Sequence, residues 1–214
     1  MFILANAAAQ MEHVSSDIIN FAMYIVTKEE GVDFEDVAGD AGGATKCGIS
    51  LRYARDQGLS FDLNHDGVVD EEDIRLITPE IACATFVVDF FVNKNFNVLA
   101  EPFQKVTFDE SVNGGAGKSA HLVQRTINRL RDENKDFAAL VFPPLVEDGG
   151  IGAMTCQASV HAAETFSRAK IINTYCDVRD EDYEAIVRAN PNDAKFLHGW
   201  KVRSDSFRIP FGAG

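Results

Sequence analysis

The sequence predicts a mainly helical protein, and three observations carry that expectation. Apolar residues recur at three- and four-residue steps in several segments. Helix-starting and helix-stopping residues punctuate those segments: Ser15 or Ser16 and Thr78-Pro79 stand ahead of two of them, and Gly31 and Gly58 behind. Runs with strand character are few. At 214 residues the chain makes one large domain or two small ones and is long enough to bury a core.

Residues 1–15 read as a loose leader, apolar at its start but without the basic segment that a secretion signal requires. A first helix follows from about Ser16 to Glu30, with Ile18, Ile19, Ala22, Met23, Ile25 and Val26 as its apolar face. The step Glu29-Glu30-Gly31 ends it. A loop rich in Gly and Asp leads to Thr45-Lys-Cys-Gly48-Ile49-Ser50 and then to a short helix that stops at Gly58. Thr78 and Pro79 open a helix whose stripe of Cys83, Phe86, Val87, Phe90 and Phe91 reads as core. Asn93 to Phe103 reads as a loop. Beyond Phe108 two helical pieces flank a break at Gly114, Gly115 and Gly117, because glycines inside a helix cost stability. Asn134 to Pro144 reads as a second loop. One helix is expected from about Met154 past Phe166 to Ile172, another around Tyr183, Ile186 and Val187, and a tail with Phe196, Leu197, Trp200 and Arg203.

The formal net charge of -13 argues against nucleic-acid binding, which needs clustered Lys and Arg. It also argues against docking to a membrane through basic residues, and no apolar run reaches the roughly 18 residues of a membrane span. Four scattered cysteines without a C-x-x-C pair give no zinc motif and read as free thiols. The five histidines form no ligand or triad spacing.

The segment from Asp62 to Asp73 has the spacing of an EF-hand loop. Asp62, Asn64, Asp66, Asp70 and Asp73 stand at loop positions 1, 3, 5, 9 and 12, with Gly67 at 6 and the Val68 carbonyl at 7. Asp rather than Glu at the last position resembles the calcium loop of dockerins. These hard oxygen donors predict a structural Ca2+ that offsets the mutual repulsion of an acidic insertion. The plainer reading is an acidic turn that caps the helix beginning near Ile74.

Glu30 is the candidate acid, with a solvated helix end as the plainer reading. A carboxylate in the last turn of a helix faces the negative end of the helix dipole, which favours its protonated form. A protonated carboxyl near neutral pH is what general-acid catalysis needs.

These residues resemble a known family. Glu30-Gly31, Asp36 and Asp40-Ala-Gly-Gly-Ala-Thr45-Lys-Cys-Gly48-Ile49-Ser50 are similar to the opening motif of glycoside hydrolase family 108, the phage-type N-acetylmuramidases. Phe108-Asp109 with Val112-Asn113-x-Gly115-x-Gly117 and Gln124 resembles a second block. Asp148-Gly149-x-Ile151-Gly152 with Thr155 resembles the start of the associated peptidoglycan-binding region, and Phe196-Leu-x-Gly199-Trp200 with Arg203 its end. Departures are Val32, Val37 and Ala41 in place of the motif's Gly and two Pro, one extra residue before Asp40, and the calcium-type insertion. With those departures the acid aligns on Glu30, or on Glu29 with a further insertion.

The resemblance implies an α+β lysozyme-like fold: a leader (1–15), a catalytic region (16–105) holding the calcium-type loop, and a helical peptidoglycan-binding region (106–214) that completes it. It implies cleavage of the β-1,4 bond between N-acetylmuramic acid and N-acetylglucosamine, with Glu30 as general acid, Asp40 orienting the attacking water or stabilising the transition state, and Thr45 holding that water. Asp40 reads equally as an acid that stabilises a Gly-rich turn. Asp109 and Asn113 are the candidate substrate-binding residues, or else a helix cap and a buried hydrogen bond. Hydrolysis with inversion or retention, a lytic transglycosylase, and a non-catalytic wall-binding or virion protein remain open. Biologically the resemblance implies a monomeric endolysin, released from the host cytoplasm to the wall through a holin, with peptidoglycan as its partner.

Overall fold

The computed structural model describes residues 2–36 and 42–210. The chain forms two compact units, Met1–Asn93 and Lys94–Gly214.

The first unit is built on α5 (Pro79–Phe90), which buries every residue from Ala82 to Val88. A helix apolar around its whole girth needs cover on all sides. Thr78 caps it as expected, accepting the Ile81 N–H at 3.4 Å, with Pro79 in its first turn. Part of the cover comes from residues expected to be a loose leader. They form α1 (Phe2–Met11), whose Ala7 packs on Ala84 and Val88 of α5. Next is α2 (Ser16–Tyr24), capped by the Ser15 hydroxyl and burying Ile18 and Ala22. The expected helix to Glu30 is not α-helical throughout, because Ile25–Glu29 widen into a π turn. Three two-residue strands follow, β1 (Phe34–Glu35), β2 (Thr45–Lys46) and β3 (Ile49–Ser50), in a small antiparallel sheet of that order. Two short helices, α3 (Leu51–Asp56) and α4 (Glu71–Leu76), bracket the acidic loop.

The second unit is helical. Its elements are α6 (Glu101–Gly114), α7 (Ala116–Glu133), α8 (Lys135–Leu140), α9 (Ala153–Thr165), α10 (Arg168–Ala189) and α11 (Ala194–Asp205). The Gly-rich break falls where expected, with Gly115 at φ +90° between α6 and α7. The region expected as a loop after Asn134 holds α8, which Asn134 caps through the Asp136 and Phe137 N–H groups. The helix expected to run from Met154 past Phe166 is two helices. Phe166 is extended, and the Ser167 hydroxyl restarts the chain by accepting the Lys170 N–H at 3.2 Å. The tail with Trp200 is α11.

Candidate active site

Glu30 ends the π turn. Its N–H donates to the Ile25 carbonyl five residues back, at 3.0 Å, and Gly31 follows in the left-handed conformation at φ +80°. A π turn spreads more residues over one revolution than an α turn, so it redirects the side chain that follows; such turns are frequent at functional sites. The Glu30 residue is exposed.

The stem of Glu30 rests on the hairpin between β2 and β3. Thr45 pairs with Ser50 and Lys46 with Ile49, which leaves Cys47 and Gly48 as a two-residue turn. Both have positive φ, 53° and 76°, the geometry of a type I′ hairpin. A Cβ at Gly48 would lie 2.9 Å from Glu30 Cγ, 3.1 Å from its Cβ and 2.8 Å from the tip of Phe86. The glycine therefore makes the room in which the acid's stem lies, and Phe86 of α5 fills the other side. Thr45, partly buried on β2, pairs across the sheet with Glu35 and donates its hydroxyl to the Gly43 carbonyl at 3.3 Å. Asp40 lies outside the described residues.

The sheet is tied to α4. Lys46 Nζ donates to the Arg75 carbonyl at 2.5 Å, and the Arg75 guanidinium lies 3.7 Å from the centre of the Phe34 ring. The acidic loop sets where α4 begins. Asp62 accepts the Asp66 and Gly67 N–H groups at 3.1 and 3.0 Å, with Gly67 at φ +90°. Asp73, wholly buried, accepts those of Leu63, Asn64 and Asp70 at 2.7, 3.2 and 2.9 Å. Asp70 caps α4 through the Glu72 N–H. Asn64 and Asp66 accept from Asp66 and Val68, and the Val68 side chain is exposed. The capping expected of a plain acidic turn is thus present. Among the described residues no three His, Cys, Asp or Glu side chains converge as metal ligands would.

Asp109 and Asn113 belong to the second unit. Asn113 is exposed in the last turn of α6. Asp109 is buried and takes the buried-bond role. Its oxygens receive Arg179 at 2.7 Å and Arg203 at 2.8 and 3.0 Å. Beside it Glu110, fully buried, is paired with Arg179 at 2.6 Å and with Lys118 at 3.2 Å and accepts the Tyr183 hydroxyl at 2.9 Å. A Cβ at Gly114 would lie 2.1 Å from Glu110 Oε1, so this glycine makes space for a buried carboxylate. The network fastens α6 to α10 and α11. Sequence reasoning missed Arg179 and Glu110, since a charged pair 69 positions apart carries no local signal.

Two of the sequence blocks meet. Gln124 of α7 donates to Asp148 at 2.7 Å and to the Gly150 carbonyl at 2.9 Å, and accepts the Gly149 N–H at 3.0 Å. The Gln124 amide and the Gly150 N–H, which donates to Asp148 at 2.9 Å, hold the Asp148 carboxyl below its usual range. All four cysteines are free, and burial raises the Cys83 and Cys176 thiols to about 11, so neither is a thiolate nucleophile near neutral pH.

Comparison with known proteins gives the class first. Residues 23–115 match the model for Glycosyl hydrolase 108, and residues 120–205 that of the Predicted Peptidoglycan domain. The protein is a glycoside hydrolase that acts on peptidoglycan. The first of these regions, which holds Glu30, Thr45, Gly48 and Phe86, is the part of the chain that is similar to glycosyl hydrolase family 108. Among solved structures it is similar to the one titled Structure of Brucella abortus SagA, at 22% identity and a TM-score of 0.59, over 91% of this chain and 93% of that one. At that identity the likeness speaks for the fold. No curated protein matches the chain.

Proposed function

We propose that the protein is an N-acetylmuramidase that cleaves the β-1,4 bond between N-acetylmuramic acid and N-acetylglucosamine, with Glu30 as its general acid. One observation carries this reading: Glu30 is the exposed acid at the end of a π turn, with its stem set against Gly48 of the β2–β3 turn. A general acid must be held in place while its carboxyl stays open to the substrate. In the reaction Glu30 gives its proton to the glycosidic oxygen as the bond to the anomeric carbon breaks. Water adds its hydroxyl to that carbon and releases a proton to a second group. Asp40 is assigned that role by family resemblance, and Thr45, on the central strand of the sheet, the role of holding the water.

The loop Asp62–Asp73 would hold Ca2+ through Asp62, Asn64, Asp66, the Val68 carbonyl, Asp70 and Asp73. In support, its donors are hard oxygens, and it already turns at Gly67 as an EF-hand loop does. The ion would be structural, stiffening the loop that sets α4 and, through Arg75, the sheet beside Glu30. In its biological setting the protein would be an endolysin that reaches the wall from the host cytoplasm.

The deciding experiment is digestion of purified peptidoglycan by wild type and Glu30→Gln, with mass analysis of the products. Reducing-end muramic acid that depends on Glu30 is expected. Anhydro-muramic ends would make the enzyme a transglycosylase, and equal digestion by the variant would remove Glu30 from the chemistry.

A further inference from the structure

The second unit carries a stack of three aromatic rings that the proposed chemistry does not use. Tyr183 of α10, buried at 1% exposure, lies 5.2 Å from Trp200 of α11 with the planes 32° apart. Trp200, partly exposed, lies 5.8 Å from Phe196, one turn earlier on α11, with the planes 28° apart. Phe196 is 47% exposed. The rings thus step from the core to solvent, each plane tilted by about 30° from the last.

Two further observations point outward from this stack. Gly199 sits inside α11 between Phe196 and Trp200, where a glycine costs helix stability relative to alanine. Nothing in the protein requires it, because a Cβ there would meet no atom within 4 Å. A glycine kept against propensity in open space fits the close approach of something from outside. One cation of the helix is also left over: Lys201 pairs with Glu184 at 2.5 Å and Arg203 with Asp109 at 2.8 Å, which leaves Lys195. Lys195 has no ion-pair partner among the described residues, and its ammonium lies 4.8 Å from the centre of the Phe196 ring.

We infer that the face of α11 bearing Phe196, Gly199 and Trp200 is a docking surface for the glycan strand of peptidoglycan. This rests on the reading of the second unit as wall-binding. Sugar rings present an apolar C–H face that packs on exposed aromatic rings. The hydroxyls and amide carbonyls of the glycan offer acceptors to an unpaired lysine beside those rings, and the lactyl carboxylate freed where a peptide is removed pairs with it.

The test uses the full chain carrying Glu30→Gln, so that the polymer is not consumed, sedimented with intact peptidoglycan and with glycan stripped of its peptides by an amidase. Binding to both is expected, with Phe196→Ala weakening it about tenfold, as for a contact at the centre of an interface. Gly199→Gln should keep or raise the Tm and still weaken binding, which a merely structural role for this face would not produce. Trp200 is the chain's single tryptophan, so its fluorescence should shift on titration with an N-acetylglucosamine tetramer. Equal binding by parent and variants would overturn the proposal while leaving wall binding intact. Binding lost when the peptides are removed would overturn it in favour of a peptide ligand. A parent protein that sediments with neither polymer would defeat the wall-binding reading itself.

Discussion

Gly48 and Glu30 share one space: a Cβ on the glycine would fall 2.9 Å from the Cγ of the acid, and 2.8 Å from the Phe86 ring behind it. The turn residue that permits the hairpin is therefore also the residue that seats the acid. Gly48→Ala should cost roughly 1–3 kcal/mol, from positive φ and from overpacking. It should also lower lysis more than the loss of folded protein explains, because displacing a reacting group by about 1 Å can cost on the order of 100-fold. Thermal unfolding and a turbidity assay on peptidoglycan, run on the same preparation, separate the two effects.

Glu30→Gln removes a proton donor and almost no packing. Peptidoglycan hydrolysis should fall about 10²–10⁴-fold, while stability stays within about 0.5 kcal/mol, as for other exposed positions. A Tm drop as large as that of Gly48→Ala would mean that Glu30 serves the fold.

Arg179 is 1% exposed and pairs with both Asp109 and Glu110. Arg179→Met leaves two buried carboxylates short of their cation, and breaking a buried pair in this way costs about 3–5 kcal/mol. Urea unfolding followed by the fluorescence of Trp200, which stacks on Tyr183 of the same network, reports this directly.

Asp148 has its carboxyl held below the ordinary value by the Gln124 amide and the Gly150 N–H. A depressed carboxylate contributes stability above its unfolded pKa, near 4, and loses it as pH falls through the lower folded value. The Tm should therefore decline on acidification below about pH 4. Asp148→Asn should flatten part of that decline and leave the Tm near neutral pH little changed or slightly lower.

Chelation tests the acidic loop. If Ca2+ binds the folded loop, saturating ion near 100 times its Kd adds about 2.7 kcal/mol. EDTA should then lower the Tm of the wild type and leave that of Asp62→Ala unmoved. An unchanged wild-type Tm, in protein first shown by metal analysis to hold calcium, would limit the loop to its capping role.

Periodicity and capping residues in the sequence alone determined that the chain is helical, that α2 starts at Ser15 or Ser16, that α5 starts at Thr78 with Pro79 behind it, and that a break falls within Gly114–Gly117. They also placed Glu30 at a helix end ahead of Gly31. Those features depend on neighbours within about one turn, so spacing records them. Only the tertiary structure decided that the last turn before Glu30 is a π turn, that the glycine of the Thr-x-x-Gly-Ile segment is the acid's seat, and that Phe86 packs on the same glycine. It likewise turned the apparent leader into α1 and drew Asp109 inside with Arg179 and Arg203. Each of these depends on groups far apart in the chain, where burial and steric fit choose among partners that sequence spacing leaves equivalent.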